Sequence, residues 1–260
     1  MFDYFNNKFN TSPHLTSNPV NHYQSDTNNY VTSVYFTDAP YLNIPDTHEA
    51  FKMTHKAKFW YNIKRGLKKL NENYDDVKVV IYEDPNEIKA YLPAVQKLFS
   101  KRWENEYTSF PWKSEIGFKP YSDAMIELSK TKEGLLCMII INDNVKIFGY
   151  VLLNTENMFL YQLAATPDLE FKKYDLAGIL MKKLIEFGID KNKKELDFGI
   201  GIIGYKMKWA KNKKEIYFNV VTPKSFLNRI VHSFKVLSLK LKFSIQRNRK
   251  LVSLIKRIYK

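Results

Sequence analysis

Three consecutive apolar runs constrain this chain more than any other feature. "LLCMIIIN" (135–142), "VKIFGYVLLN" (145–154) and "NMFLYQLAAT" (157–166) are each of strand length and rich in β-branched or aromatic residues. Only Asp143-Asn144 and Asn154–Glu156 serve as turns between them. Turns that short join antiparallel neighbours, because a parallel pair needs a crossover of about a dozen residues. The runs therefore predict a three-stranded antiparallel meander. Cys137, the one cysteine, lies inside the first run, which excludes a disulfide framework. With five scattered histidines beside it, no metal site of Cys/His type is expected.

Other elements are arranged around the meander. "VKVVIYE" (77–83) reads as a strand. Pro85 to Trp103 reads as a helix, with Pro93 an awkward interior residue, and 119–133 as a second helix. After the meander come an amphipathic helix at 172–191, a strand "KELDFGI" (194–200), a short helix "GYKMKWAKN" and a closing strand "EIYFNVV" (215–221). The order is β-α-α-β-β-β-α-β-α-β, with no internal repeat.

Upstream, Thr47 can cap a lead-in helix over 47–72, where Phe51, His55, Phe59, Ile63, Leu67 and Leu70 recur at three- and four-residue steps. Lys56, Lys58, Lys64, Arg65, Lys68 and Lys69 occupy its other face. They read either as a solvated face or as a basic rim over an anionic substrate. His48, His55 and His232 read as surface or rim residues, His55 as a satisfied core histidine, and none as a metal ligand or catalytic group. "VTSVYFTDAPYLNIP" (31–45) carries a short β-rich run with two prolines, and residues 1–30, rich in Asn, Ser, Thr and His, read as a poorly ordered arm. The expected organisation is an arm (1–30), a domain (31–222) and a basic segment (223–260).

That last segment holds much of the chain's charge. From Lys224 to Lys260 there are eleven Lys or Arg and no acid; subtracting eleven from the net charge of +14 leaves +3 for everything before it. A basic segment suits an anionic lipid surface, RNA or an acidic partner. Phe226, Ile230, Phe234, Leu237 and Leu241 mark a helical stripe, whereas "SLKLKFSI" (238–245) alternates like a strand. An interfacial helix and an element docked on the domain both fit. No run approaches the ~18 apolar residues of a membrane span. The N-terminus lacks the basic start and apolar block of a secretory signal. The expectation is a cytoplasmic protein, peripheral at the inner membrane surface if residues 224–260 meet anionic lipid.

Three of the nine glycines fall within "ELDFGIGIIGYKMKWA" (195–210). Gly199 and Gly201 would supply backbone angles closed to other residues, turning the chain sharply at the strand's end. Gly204 would leave room beside Tyr205 and Lys206 at the start of a helix, with Asp197 at the strand end. Tyr205 and Trp209, four residues apart, fit simple helix packing equally well.

The element order and four local motifs resemble the GNAT acyltransferase superfamily. "HKAKFWYNIKRGLKKL" (55–70) resembles the basic helix of the cellulose-biosynthesis-type (CelD-like) acetyltransferases, and "APYLNIPDTHEAF" (39–51) its proline-bracketed lead-in. "FKKYDLAGILMKKLIEFGI" (171–189) is similar to the family's helix entrance, and "LDFGIGIIGYKMKWA" (196–210) to its Asp-Phe-x-x-Gly-x-x-x-Tyr-Lys signature. That signature is also similar to the Fem-type ligases. The superfamily's Gly-rich phosphate-loop pattern is missing; Gly178 alone stands in "YDLAGIL".

The resemblance implies an α+β fold with a mixed, mostly antiparallel central sheet flanked by helices. It implies an N-acyltransferase that moves an acetyl or related acyl group from coenzyme A to a small amine acceptor, such as an amino sugar in envelope or polysaccharide synthesis, without a metal. Tyr205 would be the general acid toward the departing thiolate, Lys206 would stabilise developing negative charge, and Asp197 would orient the amine or pair with Lys206. A free backbone N–H near Leu163, Ala164 or Ala165 would polarise the acyl carbonyl. The helix start at Lys173, Tyr174, Asp175 and Gly178 would face the coenzyme pyrophosphate. Read from the residues alone, the same stretch is an amphipathic helix capped by Asp175. The Fem similarity implies an aminoacyl transferase that uses charged tRNA, and a third alternative is a GNAT fold serving only as a binding module.

Overall fold

The computed structural model describes residues 14–16, 29–104, 111–202 and 204–247. Most of the expected N-terminal arm and the end of the basic segment lie outside these residues. The strands are β1 (His14–Thr16), β2 (Asn29–Asn43), β3 (Val77–Tyr82), β4 (Gly134–Ile141), β5 (Asn144–Leu153), β6 (Asn157–Ala165), β7 (Glu195–Asp197) and β8 (Asn212–Pro223). The helices are α1 (His48–Met53), α2 (Ala57–Asn73), α3 (Pro85–Arg102), α4 (Glu115–Lys130), α5 (Leu176–Asp190), α6 (Gly204–Trp209) and α7 (Phe226–Arg247). The chain divides into two compact units, residues 41–199 with 204–212, and residues 1–40 with 200–203 and 213–260.

The larger unit is built on the meander. Its strand order is β2-β7-β6-β5-β4-β3, where β2 contributes residues 41–43; every pair is antiparallel except β6 with β7. The parallel pair follows from the intervening α5, a helical crossover. Every residue of β4 is buried, which explains its unbroken apolar run. Leu135, Cys137, Ile139 and Ile141 face one core with α2 and α5. Leu136, Met138 and Ile140 face another with α3 and α4. Burying each such side chain contributes about 1.5–3 kcal/mol, so a sheet covered on both faces is well supported.

The expected lead-in helix is two helices. Thr47 caps α1 by accepting the Ala50 N–H, as anticipated, but the chain breaks at residues 54–56. Thr54 turns its hydroxyl onto the Phe51 carbonyl, and Lys56 is extended ahead of α2. His55 sits at this break rather than on a helix face, with its Nε2–H donated to the Lys208 carbonyl (2.8 Å) and its ring stacked on Phe59. α4 begins at Glu115, four residues before the expected start, because Ser114 accepts the Gly117 N–H. Pro93 and Pro120 both lie within helices.

The smaller unit holds β1, β2 up to Pro40, β8 from Lys213 and α7, with strand order β1-β8-β2. Its buried carboxylate, Asp38, meets Lys213 Nζ at 2.8 Å and the Tyr35 hydroxyl at 2.9 Å; its carbonyl accepts the Gly201 N–H. "SLKLKFSI" is helical, part of one 22-residue α7, so its strand-like alternation is overruled. His232, expected at the surface, is buried on that helix between the Thr32 and Thr222 hydroxyls (2.8 and 3.0 Å). Phe243 packs on Phe36 and Phe218.

Candidate active site

Asp197 and Lys206 meet just beyond the point where two strands part, and Tyr205 precedes Lys206 on α6. β6 and β7 pair only through Asn157–Phe159 with Glu195–Asp197. Beyond Phe159, β6 continues to Ala165 with β5 on one edge and no β7 partner on the other among the described residues. A bulge at Tyr161 shifts the β5–β6 register at the point of divergence. Bulges of this kind bend a strand and terminate pairing, and they leave backbone donors and acceptors for other use. Leu163, Ala164 and Ala165 lie on this diverging stretch. Leu163 and Ala165 pack against one core and Ala164 against the other.

β7 stops because Asp197 turns its side chain onto its own backbone. Its Oδ1 accepts the Gly199 N–H at 2.7 Å, and Gly199 then adopts φ +70°, a left-handed conformation suited to glycine. Gly201, in the smaller unit, has φ +93°. Gly204 differs from the expectation. A Cβ there would meet nothing within 4 Å, so Lys206 and Tyr205 do not depend on it for room.

Lys206 returns from α6 to this turn. Its ammonium donates to the Gly199 carbonyl at 3.2 Å, and the residue is only 6% exposed. Burial lowers its pKa to about 8, and the charge of Asp197 opposes that fall. The group therefore remains mostly cationic at neutral pH yet titrates close to it. Burial pushes the neighbouring Tyr205 phenol up to about 12, so it holds its proton. Trp209, one turn on, is not part of this group. It is buried against Phe51, Phe59 and Trp60 and anchors α6.

The start of α5 is arranged differently from the anticipated phosphate site. Asp175 is left-handed (φ 49°) and its carboxylate accepts the Gly178 N–H at 3.3 Å, with Lys208 Nζ 3.9 Å away. A Cβ on Gly178 would lie 2.5 Å from the Asp175 carboxylate, so this glycine accommodates the cap. Tyr174 is buried against Tyr74 and Phe171, its hydroxyl accepting from Asn73, which leaves its side chain no role toward a ligand. Lys173 folds over the Tyr174 ring at 5.0 Å. A pyrophosphate at this helix start would have to displace an internal carboxylate, so as arranged the residues do not fit that group.

Gly66 of α2 is a contributor that the sequence reading passed over. A Cβ there would stand 2.3 Å from the Tyr174 carbonyl oxygen, so α2 lies directly on the turn that precedes α5. Its signal was an isolated glycine inside a helical pattern. A cleft of about 570 Å³ opens beside α1 and α2, lined by Phe51, Trp60, Tyr61, Lys52, Lys64 and Lys182 among others. Of the cations anticipated as a basic rim, Lys64 lines it.

With this geometry in view, the family match is direct. Residues 57–207 match the model for the acetyltransferase (GNAT) domain, and the chain belongs to that family. No curated protein matches it in sequence. Among solved structures it resembles the C-terminal domain of a putative lysylphosphatidylglycerol synthetase from Agrobacterium fabrum, with TM-score 0.54 at 9% identity over 73% of this chain and 61% of that one. It also resembles a conserved protein of unknown function from Bacteroides thetaiotaomicron, with TM-score 0.53 at 11% identity over 75% and 63%. L-PGS from Bacillus licheniformis gives 0.51 at 8% over 81% and 67%. These are likenesses of fold, and the chain spans under two thirds of the length of the first two.

Proposed function

We propose that the chain is an N-acyltransferase whose reaction occurs where β6 and β7 diverge. The observation that carries this reading is Lys206, a buried cation held on the Gly199 carbonyl beside Asp197 at the open end of the β6–β7 ladder. In the proposed reaction an amine attacks the acyl carbonyl carbon. A C–N bond forms, the bond from that carbon to the carrier's sulfur or oxygen breaks, and the amine gives up a proton. Lys206 stabilises the negative charge that develops on the carbonyl oxygen or leaving group, together with a backbone N–H from Leu163–Ala165. Tyr205, kept protonated by burial, delivers a proton to the departing atom and recovers one from solvent. Asp197 holds the turn and balances the Lys206 charge.

Acyl-coenzyme A is the carrier that membership of the GNAT family implies, and an amino sugar is the acceptor we favour. A second reading, an aminoacyl group on tRNA, is supported by the Asp175 carboxylate at the start of α5, which disfavours a pyrophosphate there. Calorimetry with acetyl-CoA and salt-dependent retention of charged tRNA separate the two. Binding of neither, with no acyl transfer, would reject both and leave a binding module.

A further inference from the structure

Helix α7 is apolar on two opposite faces, and the smaller unit uses only one of them. His232, Val236, Leu239 and Phe243 recur at helical spacing on the inward side, where His232 and Phe243 are buried. At about 100° per residue, the face centred roughly 180° away holds Phe226, Ile230, Phe234, Leu237 and Leu241. These are 81%, 47%, 70%, 55% and 57% exposed. A stripe of such side chains in water is unusual for a soluble surface and marks a place of contact. By the same geometry Arg229 and Lys240 lie along one flank of the stripe, and Lys235 and Lys242 along the other.

We propose that α7 lies flat in the interface of an anionic lipid bilayer, with this stripe at the acyl-chain boundary and both cationic flanks at the level of the phosphates. The charge pattern selects this occupant. With eleven Lys or Arg and no acid from Lys224 onward, a second copy seated on the stripe would bring like-charged flanks together. Nucleic acid would satisfy the cations and leave the stripe in water. An anionic bilayer satisfies both at once. Among the described residues no helix is long and apolar enough to cross a membrane, which is consistent with a helix about 33 Å long docking parallel to the surface. The inference rests on α7 alone and is independent of the acyl-transfer reading.

The test is flotation of the full chain with vesicles of phosphatidylcholine alone and of phosphatidylcholine with phosphatidylglycerol. Wild type is expected to bind the anionic vesicles at least about tenfold better, and added salt to weaken that binding. Phe234→Asp with Leu237→Asp, and separately Lys240→Glu with Lys242→Glu, should each lower binding by at least about thirtyfold while the thermal midpoint and helix content stay unchanged. Failure of wild type to float overturns the proposal, as does undiminished binding in the stripe variant. So does a stripe variant that unfolds, which would place the stripe in a core. An oligomer that the stripe substitutions dissociate, without vesicle binding, assigns the face to a second copy and overturns it equally.

Discussion

Lys206 donates its ammonium to the carbonyl of Gly199 at 3.2 Å, closing a seven-residue return from α6 to the end of β7. The contact places a cation in a buried turn, where a neutral side chain of similar length would be tolerated better. Lys206→Met should therefore leave the fold intact while reducing turnover by about 10²–10³-fold, the loss seen when a preorganised stabiliser of developing charge is removed. Steady-state kinetics beside a thermal melt check this, and a variant with wild-type turnover would remove Lys206 from the mechanism.

The same residue sets a pH dependence. Its folded pKa, about 8, lies below the ordinary lysine value of 10.5. Between those values the unfolded chain binds a proton that the folded chain has released, so stability should rise with pH across that window. Turnover should move the other way and fall as pH rises through about 8, because the stabilising charge is lost. Lys206→Met should flatten both profiles. An activity that rises through the same range would instead assign Lys206 as a base acting on the amine.

Asp175 holds the position that a phosphate would need. Asp175→Asn keeps a side chain that tolerates the left-handed conformation and removes one negative charge. If acyl-CoA is the carrier, its dissociation constant should fall about fivefold, the scale of one charge at a helix N-terminus. Titration calorimetry on the two proteins gives the answer; unchanged affinity would mean that the coenzyme phosphates bind elsewhere.

Gly66→Ala sets two effects against each other. In an exposed helix interior alanine would be favoured by ~1 kcal/mol. Here its Cβ would overlap the Tyr174 carbonyl at 2.3 Å, and that oxygen is backbone that cannot swing aside. Overpacking of this kind costs about 1–3 kcal/mol, so a net loss in thermal midpoint is expected. Gly204→Ala, with open space around it, is the matched control and should be neutral or stabilising.

Phe243→Ala tests the inward face of α7. The ring is buried against Phe36 and Phe218, so its removal should destabilise the smaller unit by about 3 kcal/mol, readable in a denaturant titration. Loss of a few tenths only would mean that α7 is not docked as described.

The meander, the order of the flanking elements and the turn after Asp197 were determined by the sequence itself, because each depends on neighbours within a few residues. β4 could be read from its apolar run, Thr47 from its place before α1, and Gly199 from the need for a left-handed angle after a strand. Tertiary structure decided what short windows cannot contain. The break between α1 and α2 depends on His55 reaching a carbonyl 153 residues away. Gly66 matters only because α2 crosses the turn before α5. The alternation of "SLKLKFSI" matches a strand as well as a helix, and only packing of Phe243 against two strands selects the helix. Asp175 could have faced a ligand phosphate or its own backbone, and the left-handed turn at that residue directs it to the Gly178 amide. Local pattern specifies which segments form, whereas burial and long-range contacts specify which face of each segment is left to act.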